Sequence, residues 1–318
     1  MSNAQFEVQQ AGPLVSFQDG GRKGHMRFGV SASGPMDSLS HAAANLAVGN
    51  SADATAIEIS IGGLSIKCVS GSVTIAIVGM GFNIKLDDAA FPAGVAMTVE
   101  TGSTLIIQPG STGSWCYLAF AGSVNADQWL SHTATHTTSG FGGGLLKQSD
   151  SLEITNCRTG PPDPIIIPPF LQRSSPDYVR IVLGPQSQHF KDDAKQILLG
   201  SQYSLSTAYD RMGVRLDGPP LPLESALSIP SEPILKGSVQ VSGEGIPTIL
   251  LADHQTTGGY PKIATVISCD LDAFVQLRPR DVFRFSAVTP QNAVKLARLH
   301  SIETRTYLET IEALHRQS

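Results

Sequence analysis

One stretch of the chain concentrates groups able to do chemistry. It reads Asp253-His254-Gln255-Thr256-Thr257-Gly258-Gly259-Tyr260-Pro261-Lys262. A turn needs only the glycines and the proline. This one adds a carboxylate, an imidazole, an amide, two hydroxyls, a phenol and an ammonium. Such groups packed around Gly258-Gly259 describe a loop whose backbone closely approaches a ligand. His254 and Lys262 are its candidates for catalysis. Gln255, Thr256, Thr257, Gly258, Gly259 and Tyr260 are its candidates for binding. A second polar turn, Gln18-Asp19-Gly20-Gly21-Arg22, offers Gln18, Asp19 and Arg22 as further substrate-binding candidates. Arg22 is suited to a carboxylate, either of substrate or of Asp19. His132 and His136 have a helical spacing that zinc sites use. Their β-branched, Gly-flanked surroundings read instead as a loop without metal.

Strands must position these groups. Leu64–Val69, Val73–Val78, Thr104–Gln108, Trp115–Phe120, Tyr178–Leu183, Thr248–Leu251 and Val282–Phe285 are short apolar or alternating runs rich in Val, Ile and Phe. They suit half-buried pleated surfaces, and their spacing predicts barrels or sandwiches. Helices are few. Asp37 or Ser38 caps one that stops near Gly49-Asn50. A second is expected from about Ser187 to Leu199. A third starts at Thr289-Pro290 and reaches the C-terminus.

Proline removes backbone donors and fixes φ, so the stretch from Arg158 to Pro169 cannot be an inner strand. It divides the chain near residue 165, into residues 1–165 and 166–318. Three short matches repeat in order across that division. Arg27-Phe-Gly29-Val30 recurs as Arg211-Met-Gly213-Val214, the 74–78 run as 248–252, and 104–107 as 282–285. A duplicated domain is the expectation. The turn after the first copy of the second match, Gly79-Met-Gly-Phe, is unreactive. The corresponding position in the later half carries the loop from Asp253 to Lys262.

The chain has 318 residues, of which only 15% are charged, against about 25% in typical soluble domains. Its net charge of −5 argues against nonspecific binding to nucleic acid or to an anionic membrane surface. No apolar run reaches the roughly 18 residues of a membrane span. Met1 to Gln10 lacks the basic start and apolar block of a secretory signal. Cys68, Cys116, Cys157 and Cys269 are scattered, as expected of buried thiols in a reduced cytoplasm.

Longer motifs then carry a resemblance. Gln18-Asp19-Gly20-Gly21-Arg22-x-Gly24, Ser33-Gly34-Pro35-Met36-Asp37 and Val48-Gly49-Asn50 lie in the first half. Asp210-Arg211-Met212-Gly213, Gly237-Ser238-Val239-Gln240 and Ala252-Asp253-x-Gln255-Thr256-Thr257-Gly258-Gly259-Tyr260-Pro261-Lys262 lie in the second. Together they resemble the family variously named for the C subunit of 5-oxoprolinase, allophanate hydrolase subunit 2, KipA and biotin-dependent carboxyltransferase. The resemblance covers nearly the whole chain. It implies a mainly β fold of two tandem cyclophilin-like β-barrel domains, with a few helices and a C-terminal helix. It also implies a ligand site between the domains, where residues 253–262 would face residues 18–22. Arg211 joins the catalytic candidates by analogy with cyclophilin-like pockets.

The function so implied is one subunit of an ATP-dependent 5-oxoprolinase, which converts 5-oxo-L-proline to L-glutamate. Its partners would be 5-oxoprolinase subunits B and A, and its location cytoplasmic. The cofactor would be ATP with Mg2+, shared with a partner. Gly110-Ser-Thr-Gly-Ser and Gly140-Phe-Gly-Gly-Gly lack the Lys-Ser/Thr of a phosphate loop. The alternatives are a biotin-dependent carboxyltransferase of the urea carboxylase type and a non-catalytic KipA-like antagonist of a kinase inhibitor. Biotin would then ride on another protein, because no Met-Lys-Met biotinylation site is present.

Overall fold

The computed structural model describes residues 2–161, 163–170, 177–184, 186–224 and 229–317. The chain forms two compact units. The first comprises residues 1–22, 33–171 and 304–318; the second comprises 23–32 and 172–303.

The first unit holds two antiparallel sheets. Seven strands run in the order Ser123–Val124, Ser151–Thr155, Ala4–Ala11, Leu64–Ser70, Thr104–Pro109, Phe82–Leu86 and Ala89–Pro92. Six more run Ile165–Ile166, Val95–Glu100, Ser72–Gly79, Trp115–Phe120, Ala56–Ser60 and Ser16–Gln18. The inner faces meet where the Phe6 and Phe120 rings lie 5.3 Å apart. The helix Ser38–Ala47 packs on Trp115–Phe120 and Ser72–Gly79. Trp115–Phe120 is therefore covered on both faces, which is why it reads as an unbroken apolar run rather than an alternation. Asp37 caps that helix, its carboxylate accepting from Ser40 N at 3.0 Å. The proline-rich stretch contributes only the edge strand Ile165–Ile166, as its missing donors require.

The second unit is a closed seven-stranded barrel. Its order is Tyr178–Leu183, Lys262–Val266, Ser238–Val241, Pro247–Leu250, Gly213–Asp217, Gln202–Tyr209 and Val282–Ala287. Parallel pairing of Tyr178–Leu183 with Val282–Ala287 closes it. Alternate residues such as Val179, Ile181, Val214, Leu216, Phe283 and Phe285 are buried, as barrel strands demand. A small ribbon pairs Glu232–Pro233 with Thr257–Gly258.

The mainly β expectation holds, and all seven predicted strands are present. Three expectations change. The helix expected from Ser187 is a 3-10 turn, Ser187–His189, followed by a separate helix, Ala194–Gly200. Phe190 breaks the run because it leaves helical phase to bridge Leu223. The first repeat match does not share a structure. Arg27 is exposed in the 3-10 helix Met26–Phe28, whereas Arg211 is fully buried beside the strand Gly213–Asp217. Cys68 and Cys116 are buried, but Cys157 and Cys269 are half-buried. Among the described residues, no helix is long and apolar enough to cross a membrane.

Candidate functional site

In the barrel unit the strand Pro247–Leu250 delivers the chain into the loop. A two-way clamp fixes its start. Arg211 Nε and Nη2 donate to the two carboxylate oxygens of Asp253 at 3.2 and 3.1 Å, and neither side chain is exposed. Main-chain bonds from Asp253 N to Arg211 O (2.8 Å) and from Leu251 N to Met212 O (2.9 Å) run alongside. A fork-to-fork pair of this kind sets orientation as well as energy. Arg211 thus touches the loop's first residue and holds it.

His254 comes next and is buried. Its Nδ1 lies 2.7 Å from Gln255 O. A carbonyl can only accept, so that contact assigns the ring proton to Nδ1 and leaves the Nε2 lone pair available. Burial pushes the His254 pKa below the ordinary histidine value; the Gln255 carbonyl opposes this and Lys236 adds to it. The ring is therefore neutral near pH 7, the form a general base requires. Gln255, Thr257 and Tyr260 are exposed, and Thr256, Gly258 and Gly259 are half-buried.

Lys262 ends the loop and begins the next barrel strand. Its side chain is only 7% exposed, and Nζ lies 3.6 Å from Glu232 Oε2. Gln186 ties the pair together. Its Oε1 accepts from Lys262 N at 2.8 Å, and its Nε2 donates to Glu232 Oε2. Gly258 lies opposite Glu232 in the small ribbon. A methyl in place of its hydrogen would lie 2.6 Å from Gln240 Nε2 and 2.5 Å from Ile234 Cδ1. A larger residue there would have to displace the ends of both side chains.

Gln18, Asp19 and Arg22 come together in the first unit. Gln18 Nε2 donates to Ser16 Oγ at 3.0 Å and to Thr135 O at 3.2 Å. Asp19 accepts from Gly21 N and Thr133 N, both at 2.9 Å, and its Oδ2 lies 3.1 Å from His132 Nδ1. Arg22 donates to Ala134 O and Ser33 Oγ, and its guanidinium sits 5.2 Å from the Trp129 ring centre. His41 lies beneath, its Nε2 3.3 Å from Gln18 O, with its pKa lowered by burial. His132 is engaged with Asp19, and His136 Nδ1 accepts from Ser139 N at 3.2 Å.

In both Gly-rich stretches, glycine amides are spent on internal hydrogen bonds. Gly140, Gly143 and Gly144 amides donate to His136 O, Thr133 O and Thr135 Oγ1. Gly110 N donates to Gly81 O, and a methyl on Gly113 would lie 1.8 Å from Met80 O. These glycines serve close chain packing, and the amides named are already engaged.

Reasoning from sequence missed Gln186, Glu232 and Gln240. Gln240 stood within a recognised motif, Gly237-Ser238-Val239-Gln240, but its partner across the barrel is set by sheet register. Glu232 stood in a segment, Ser231-Glu232-Pro233, legible only as a departure from the Ser-Glu-Gly of the family pattern, and Gln186 carries no motif at all.

In this barrel the strand-linking loop opens on a buried imidazole and ends on a buried lysine. Residues 28–287 match the family model described as carboxyltransferase domain, subdomain A and B, and the chain belongs to that family. It is 34% identical over 303 residues to the C subunit of 5-oxoprolinase from Haemophilus influenzae, covering 94% of this chain and 95% of that protein. The C subunit of 5-oxoprolinase from Escherichia coli is 31% identical over 293 residues, covering 91% of this chain and 93% of that one. The crystal structure of the Kluyveromyces lactis urea carboxylase matches with a TM-score of 0.86 at 25% identity, covering 96% of this chain and 29% of that chain.

Proposed function

We propose that this chain is a subunit of an ATP-dependent 5-oxoprolinase, acting with partner subunits B and A on 5-oxo-L-proline. The observation that carries the reading is the match to the C subunits of two 5-oxoprolinases over more than nine-tenths of both chains. The loop chemistry agrees with it. A lactam is resonance-stabilised, so its carbonyl oxygen must be polarised before water can open the ring. Donors aimed at that oxygen stabilise the charge that develops there. Lys262 and the backbone N–H of Gly259 are of the right kind. His254, neutral and with Nε2 available, is suited to take a proton from the attacking water. Gln255 offers an amide edge to the lactam N–H and C=O. Arg211 positions the loop through Asp253. Net, water adds across the ring amide bond and L-glutamate results. No step at the nucleotide is derived from this chain's residues; ATP with Mg2+ is assigned to the assembled complex.

A second reading is supported by the likeness to urea carboxylase. A cyclic urea presents an edge like that of a lactam, so the same loop would hold carboxybiotin borne by another protein. Reconstitution with the two partner subunits separates these readings. ATP-dependent release of glutamate from 5-oxoproline supports the first. Avidin-sensitive carboxyl transfer from a biotinylated carrier, without glutamate release, supports the second and overturns the first.

A further inference from the structure

Among its described residues the barrel unit buries two nitrogen donors with no hydrogen-bond acceptor. Lys262 is 6% exposed and Gln240 4% exposed, and neither Lys262 Nζ nor Gln240 Nε2 has a hydrogen-bond partner. The two residues are neighbours by construction. Gln240 pairs in register with Lys262 across the antiparallel strands Ser238–Val241 and Lys262–Val266. Directly opposed residues send their side chains to the same face, with Cβ atoms about 5 Å apart. A register shift between Val239 and Gln240 produces this pairing: Val239 faces Ala264, and Gln240 then faces Lys262, skipping Ile263. Bulges of this kind re-aim side chains beside functional sites.

The surroundings restrict what can complete the pair. Glu232 Oε2 stands 3.6 Å from Lys262 Nζ, beyond hydrogen-bond reach, and already accepts from Gln186 Nε2. The Gly258 main chain presses against the Gln240 amide, where a Cβ would lie 2.6 Å from Nε2. A buried donor without an acceptor costs free energy, and an ammonium costs more than an amide. A missing partner with one negative charge and two acceptor oxygens would satisfy both nitrogens at once. A carboxylate has that geometry. An ammonium has three donors, so Lys262 can meet a carboxylate and still face the lactam carbonyl oxygen.

We infer that Lys262 Nζ and Gln240 Nε2 together form a seat for the carboxylate of a small ligand, with Gln240 a specificity-determining residue. Identifying that ligand as 5-oxo-L-proline rests on the proposed function; the seat itself does not. Its carboxylate distinguishes 5-oxoproline from the plain lactam ring.

The test is titration calorimetry on the full chain with 5-oxo-L-proline, 2-pyrrolidinone and acetate, with thermal unfolding measured alongside. 5-Oxoproline should bind at least about tenfold more tightly than 2-pyrrolidinone, as expected for loss of a charge-assisted contact. Gln240→Leu and Lys262→Met should each weaken 5-oxoproline by about tenfold or more, and Gln240→Leu should leave 2-pyrrolidinone unchanged. Gln240→Glu gives Lys262 Nζ an internal hydrogen-bond acceptor beside the more distant Glu232 and sets a like charge against the ligand. It should raise the unfolding temperature and abolish binding of 5-oxoproline and acetate, which keeps the test decisive if Gln240→Leu fails to fold. Equal binding of acid and lactam, wild-type affinity in Gln240→Glu, or no binding of either carboxylate would overturn the seat. Acetate bound in a Gln240-dependent way, with 5-oxoproline no tighter than acetate, supports the seat and contradicts the oxoprolinase reading.

Discussion

Two polar turns of similar composition behave differently in this molecule. Residues 18–22 of the first unit and 253–262 of the barrel unit both combine glycines with a carboxylate and a cation. In the first turn, Asp19 gathers Gly21 N, Thr133 N and His132, and Arg22 finds Ala134 O, Ser33 Oγ and the Trp129 ring. Its unmatched buried acceptor is Gln18 Oε1. The second turn is braced at its start by Arg211 and Asp253 yet ends on unmatched donors, Lys262 Nζ and its register partner Gln240 Nε2. The first arrangement spends most of its polar groups on its own backbone; the second ends on an ammonium and an amide nitrogen that lack acceptors. Composition alone does not separate a turn that satisfies itself from one that leaves donors unmatched. The neighbouring strands decide which it becomes.

The largest effect expected on stability is at the barrel clamp. Asp253→Asn leaves the buried Arg211 charge without its carboxylate and should cost about 3–5 kcal/mol in urea unfolding. The paired change Arg211→Met with Asp253→Leu should recover most of that loss, because apolar replacement of a buried pair is often neutral. A cost near zero for Asp253→Asn would show that the clamp does not brace the loop. In the first unit, Asp19→Ala leaves the Gly21 and Thr133 amides without their acceptor. It should cost about 1–3 kcal/mol, less than the clamp. The smallest effect is in acid. Burial lowers the pKa of both His41 and His254 in the fold, below the unfolded value near 6.5. Their contribution is therefore complete above that value and is lost as pH falls through the folded values, where the unfolded chain binds more protons. Thermal unfolding from pH 8 to pH 5 should show this decline. His254→Gln should flatten it in part, and an unchanged profile would mean that His254 is not held neutral.

Local features of this fold were legible where the chain states them locally. Trp115–Phe120 and Tyr178–Leu183 are strands with the bounds their apolar runs predict. Asp37 caps its helix as its position before Ser38 implies. The loop at 253–262 stood out because its groups exceed what a turn needs. Long-range consequences were not legible. Glu232 meets Gly258, and Gln240 meets Lys262, through pairings some two dozen residues apart along the chain. The register shift at Gln240 leaves no mark in the hydrophobic pattern. The apparent kinship of Arg27 and Arg211 was a likeness of letters. The left-handed Gly29 ends a 3-10 turn, whereas Gly213 opens a strand.

If the 253–262 loop acts on the ring amide, turnover must depend on its imidazole and its ammonium. The decisive assay is ATP-dependent glutamate release by His254→Ala and Lys262→Ala, each in the complex with both partner subunits. Each variant should lose at least about a hundredfold in rate, with an unfolding midpoint close to wild type. Wild-type rates in both would place the chemistry elsewhere.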